Sequence, residues 1–99
     1  MRRNFRQWML ELADGELIEA VVLGNHMWRD RKEDEPAPGS LLSWEEAAPY
    51  IDCPVDDCRA AYAWTASWVI AVATYDGYNW LYRIPRNPRA CLPRLEGGG

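Results

Sequence analysis

The stretch Ala63-Trp64-Thr65-Ala66-Ser67-Trp68-Val69-Ile70-Ala71-Val72-Ala73-Thr74-Tyr75, then Asp76-Gly77, then Tyr78-Asn79-Trp80-Leu81-Tyr82-Arg83-Ile84 decides the fold. It holds three of the six tryptophans and three of the five tyrosines of the chain. β-Branched and aromatic runs flanking an Asp-Gly pair predict a β-hairpin. Two registers compete. A bulged turn sets Val72 against Trp80 and Ile70 against Tyr82, which gathers Trp68, Ile70, Val72, Trp80, Tyr82 and Ile84 on one face. A tight two-residue turn instead puts Ile70 and Val72 on the face of Arg83 and Asn79. The bulged register gives the cleaner apolar face and is the expected one.

The same pattern is read upstream. Phe5 to Leu12 is expected as a strand, Ala13-Asp14-Gly15 as its turn, and Glu16 to Leu23 as the return strand. Asn25 to Ser40 reads as a loop, because Arg31-Lys32-Glu33-Asp34-Glu35 has no apolar period and Pro36-Ala37-Pro38-Gly39 blocks helix and ladder alike. Ser43-Trp44-Glu45-Glu46 is a capping box, so a short helix is expected over about 43–51, limited by Pro49. Ala60 to Trp64 reads as a further strand. After Ile84, the prolines Pro85, Pro88 and Pro93 predict an extended tail.

The expected architecture is therefore α+β: a small antiparallel sheet of four to five strands, built from two Asp-Gly hairpins with one short helix between them and an extended Pro-rich C-terminal tail. One compact domain over 1–95 and a flexible glycine tail over 96–99 are expected.

Composition narrows the function classes. The 99 residues are 48% hydrophobic and 26% charged, within the globular range. No apolar run reaches the roughly 20 residues of a membrane span, and no signal-peptide h-region follows the basic N-terminus, so a cytoplasmic address is expected. The net charge of −4 is unevenly spread. Residues 30–58 hold Asp30, Glu33, Asp34, Glu35, Glu45, Glu46, Asp52, Asp56 and Asp57 against only Arg31 and Lys32, whereas 59–99 carry Arg59, Arg83, Arg86, Arg89 and Arg94 against Asp76 and Glu96. An acidic segment steers encounter with a basic partner. Trp28 and Trp44, lying within or beside it, have the chemistry of hot-spot residues for Arg-rich surfaces.

The first expectation is thus a small non-enzymatic protein-binding module with no cofactor. Its contact set is Trp28, Asp30, Glu33, Asp34, Glu35, Trp44, Glu45, Glu46, Asp56 and Asp57, facing a basic protein surface such as that of a nucleic-acid-binding protein. Inhibitors and immunity-type proteins, phage-borne ones included, share this size and charge. A second reading uses the arginines and aromatics of 78–94 as a platform for single-stranded nucleic acid, against which the net negative charge and the single Lys weigh. A third is a zinc-stabilised module. Cys53-x4-Cys58 with Cys91 and His26 offers a Cys3His set, although no second Cys pair is present. Gly97-Gly98-Gly99 after a ββαβ(β) order resembles the diglycine ending of ubiquitin-like modifiers and sulfur carriers. That resemblance covers the last residues and a coarse topology, and three prolines intervene, so the glycines read as a linker.

Overall fold

The computed structural model describes residues 3–26 and 35–95. Its core is a five-stranded antiparallel sheet in the order β2-β1-β3-β4-β5, with β1 Ala20–His26, β2 Leu41–Leu42, β3 Arg59–Trp64, β4 Trp68–Tyr75 and β5 Tyr78–Pro85. Two α-helices join it, α1 over Phe5–Ala13 and α2 over Trp44–Ala47. This is an α+β fold.

The N-terminal segment overturns its expected strand. Asn4 caps α1, its side-chain oxygen accepting from the Gln7 amide at 2.9 Å. Phe5, Met9 and Ala13, spaced four apart, form the buried stripe of the helix. Asp14 and Gly15 end it. Asp14 sits in the left-handed region at φ 54°, Gly15 at φ 81°, and the Asp14 amide donates to the Glu11 carbonyl. The first Asp-Gly pair is therefore a helix cap and closes no hairpin.

Residues 16–19 then cross to the sheet without regular structure, and the Glu19 amide donates to the Trp64 carbonyl at 2.7 Å. β1 starts at Ala20, later than expected, and lies between β2 and β3. Gly24 is needed there: a Cβ at this position would come within 3.2 Å of both the Ala60 Cβ and its carbonyl oxygen.

The Ser43 box forms as read. Its hydroxyl accepts from the Glu46 amide at 3.1 Å, and the Glu46 carboxylate accepts from the Ser43 amide at 2.9 Å. The α-helix nonetheless lasts only to Ala47, shorter than the 43–51 expected, because Pro49 follows and the chain tightens into 3-10 geometry over Ala48–Tyr50. A second 3-10 turn spans Val55–Asp57.

Asp76 and Gly77 lie at the turn between β4 and β5 with φ of 51° and 81°, and Tyr75 stands opposite Tyr78. This two-residue geometry selects the tight register, correcting the bulged one. Val72 pairs with Leu81 and Ile70 with Arg83. The apparent fault of that register, an arginine on the inner face, is resolved by the helix. The Arg83 guanidinium donates to the Leu12 carbonyl near the end of α1 at 2.7 Å and stacks 3.9 Å from the Trp68 ring centre.

Paired residues share a face, so the ladder assigns both sides of the sheet. Val21, Leu23, Ala61, Ala63, Ile70 and Leu81 point toward α1 and α2 and join Phe5, Met9, Ile51 and Val55 in the core. The other face carries two rows running across the strands: Leu41, Val22, Tyr62, Ala71, Tyr82, and beside them Ala20, Trp64, Val69, Ile84. Both helices lie on the inner side. Residues 88–95 have no regular secondary structure, and Arg89 from that segment rests 4.3 Å from the Trp68 ring centre.

Candidate binding groove at the acidic end

Three short elements carry a run of acidic residues in the sequence. Residues 44–58 contain Glu45, Glu46, Asp52, Asp56 and Asp57 and no Lys, Arg or His. Each of these carboxylates is exposed or half-buried. The capping box orients the first turn of α2 and fixes Glu46. Asp52 accepts from the Asn4 side-chain amide at 3.0 Å, which ties it to the cap of α1. Asp56 accepts from the Asn79 backbone amide at 3.1 Å, while the Asn79 side chain donates to the Val55 carbonyl, so β5 holds that turn in place.

Between the start of α1 and the α2 segment lies an open groove of about 560 Å³, lined by Arg6, Trp44, Glu45, Ala48, Pro49 and Asp52. Trp44 is half-buried and packs against the core on one side. Arg6 is placed by its own backbone amide, which donates to the Ile51 carbonyl at 3.0 Å, and its guanidinium lies 5.9 Å from the Trp44 ring centre. The Arg6 Nε is buried and makes no hydrogen bond among the described residues. The groove thus offers an aromatic face and two carboxylates for a cation.

The expected contact set divides. Trp44 and Glu45 line the groove; Glu46 is held in the capping box, and Asp56 and Asp57 lie on the 3-10 turn Val55–Asp57 outside the lining. Glu35 does not join them: it is buried, with its carboxylate 3.7 Å from the buried Arg59 guanidinium. A carboxylate that deep is held by the opposite charge and offers nothing to a partner. Trp28, Asp30, Glu33 and Asp34 lie outside the described residues. Arg6 and Asp52 are lining residues absent from the expected set; only the approach of α1 to the 48–52 turn brings Arg6 in.

The two thiols of the loop meet. The Cys58 thiol donates to the Tyr50 carbonyl at 4.0 Å; its proximity holds the Cys53 pKa below the usual thiol value, while Cys53 and burial push the Cys58 pKa up. Cys91 is exposed in the C-terminal segment. Among the described residues no three His, Cys, Asp or Glu side chains converge as a metal site.

The arginines proposed for nucleic acid are engaged elsewhere. Arg83 points to the helix side; Arg86 binds Glu19 and the Thr65 carbonyl, each at 2.9 Å; Arg89 covers Trp68. Trp80 and Tyr82 lie on the opposite, open face. Arg83 is therefore separated by the sheet from Trp80 and Tyr82, the aromatics it was grouped with.

Compared with known protein families, curated proteins and solved structures, the chain matches none. Among the described residues no helix is long and apolar enough to cross a membrane.

Proposed function

We propose that this protein is a non-enzymatic binding module of the inhibitor or immunity type, which captures a basic protein surface through the groove at Trp44. The observation that supports this reading is the groove lining itself, in which Trp44 shares one open surface with the Glu45 and Asp52 carboxylates and a single cation, Arg6. An Arg or Lys of the partner entering there stacks on an indole and meets two carboxylates. Each of these carboxylates is weak alone at the surface, so affinity requires the aromatic contact as well. Surfaces that bind nucleic acid are natural occupants, because they are rich in exposed arginine.

The test is titration of a labelled Arg-rich peptide, followed by anisotropy. Wild-type binding should weaken with salt and fall about 5- to 30-fold in the Glu45→Lys/Asp52→Asn variant, whose two changes remove attraction worth roughly 1–2 kcal/mol. Equal affinity for wild type and variant would refute the groove. A labelled single-stranded oligonucleotide run in parallel should not bind; tight, salt-sensitive binding to it would favour the nucleic-acid reading instead.

A further inference from the structure

The outer face of the sheet breaks the rule for a solvated antiparallel sheet. Such a sheet alternates apolar residues inward with polar residues outward. Here β4 reads Trp68-Val69-Ile70-Ala71-Val72-Ala73, apolar at every position, and β3 reads Ala60-Ala61-Tyr62-Ala63-Trp64. Continuous apolar runs belong to strands buried on both sides. The helices bury only one.

The two rows across the outer face contain no charged side chain: Leu41, Val22, Tyr62, Ala71 and Tyr82, then Ala20, Trp64, Val69 and Ile84. Leu41 is 73% exposed, Tyr62 56% and Ile84 52%, with Tyr75 and Tyr78 of the same face also more than half exposed. With roughly 150–250 Å² per aromatic side chain, and the half-buried Trp64, Trp80 and Tyr82 among them, the face offers on the order of 800 Å². That is the share each partner contributes to a standard stable interface. It also exceeds the few hundred Å² of contiguous apolar surface that soluble monomers ordinarily expose.

We infer that this face is covered by a second copy of the same chain, the two sheets packing face to face as a sandwich with the helices outside. Three features select a second copy over a foreign partner. The area matches a dimer interface. The face has no charge to steer or orient a different molecule, and uncharged surfaces carry no repulsion when two identical ones meet across a two-fold axis. Its relief is self-complementary as well: Ala71 lies low between Tyr62 and Tyr82, and Gly24 with Ala60 leaves a depression of about 200 Å³ walled by Val22 and Tyr62, into which aromatic side chains of the opposite sheet fit. Twisted sheets stack in this manner about 10 Å apart. The groove at Trp44 belongs to the helix side of the molecule and stays open in the dimer, so this inference stands or falls independently of the function proposed above.

Sedimentation velocity and light scattering of the full chain from about 1 to 200 µM provide the test. The expected species has twice the 11.4 kDa chain mass and dissociates on dilution. Tyr62→Lys at the centre of the first row should raise the dissociation constant about 30-fold or more, the size of a central aromatic contact, and Ile84→Lys at the β5 end of the second row should raise it in the same direction. Tyr62→Ser, with no new charge, should weaken it in the same direction. Leu10→Lys on α1, on the far side of the molecule, should change nothing. A chain that remains monomeric at 200 µM overturns the inference, as does a dimer indifferent to both Tyr62 variants and to Ile84→Lys. A monomeric chain that binds a dT12 oligonucleotide in a manner abolished by Tyr62→Ser would assign the face to nucleic acid and overturn it as well.

Discussion

Leu81→Ala and Ile84→Ala remove the same three carbons from one strand, yet the observed register predicts very different consequences. Leu81 is 4% exposed, pairs with Val72 and belongs to the core, whereas Ile84 is 52% exposed on the other face. Three carbons at about 0.8 kcal/mol each give a transfer loss of about 2.4 kcal/mol for Leu81, and the cavity left behind raises it to about 3 kcal/mol. At Ile84 half the side chain is already in water and no cavity forms, so the loss is under about 1 kcal/mol. For a domain of this size, about 3 kcal/mol lowers the melting temperature by roughly 12–24 °C and is a large share of the total stability. Urea unfolding followed by tryptophan fluorescence at sub-micromolar concentration, where self-association contributes nothing, reads both values. In the bulged register the pair would be inverted, with Ile84 inside and Leu81 outside. An Ile84→Ala loss equal to or above that of Leu81→Ala would therefore refute the strand pairing on which the two faces rest.

Arg83→Met should keep the stacking volume over Trp68 but leave the Leu12 carbonyl without its donor, lowering stability by about 1–2 kcal/mol; an unchanged thermal melt would show the tie between α1 and β5 to be idle. The Glu16 carboxyl is held below its ordinary 4.5, first by the Ser67 hydroxyl and then by that of Thr65. Its stabilising effect is complete above that ordinary value and disappears as pH falls through the lower folded one, so Glu16→Gln should flatten the acid limb of a stability profile below about pH 4.5, and an overlay with wild type would reject this. Alkylation by iodoacetamide, followed by mass spectrometry, should proceed in the order Cys91, Cys53, Cys58, since the first is exposed, the second half-buried with a lowered pKa, and the third buried with a raised one. Early loss of Cys58 would contradict the packing of the 53–58 loop.

The contrast between the two Asp-Gly pairs shows where local pattern stops being informative. A tight hairpin turn and a helix cap both require residues in the left-handed region, and Asp-Gly supplies them in either setting. What separates the settings is periodicity. Trp8, Leu10 and Leu12 alternate like a strand, but Phe5, Met9 and Ala13 repeat like a helix, and only the second set is fully buried. The Ser43 box was legible because its signal is wholly local. The register of β4–β5 was not, because the deciding contact, Arg83 to Leu12, joins the two ends of the chain. The groove was legible at Trp44 and Glu45, while Arg6 arrives from a helix that the strand reading had dissolved. Charge at Glu35 likewise gave no clue that Arg59 would be buried beside it.

The position of β1 has a consequence for the order in which the molecule assembles. β1 is held between β2 and β3, and Val21 faces Ala63, far downstream in the chain. On the ribosome, β1 therefore emerges long before its main neighbour exists, whereas β3, β4 and β5 are joined by loops of two or three residues and can zip as soon as they appear. The β3–β5 meander is thus the template on which the earlier elements close, and a growing chain stalled before Arg59 has helices but only the short β1–β2 pairing to lay them on.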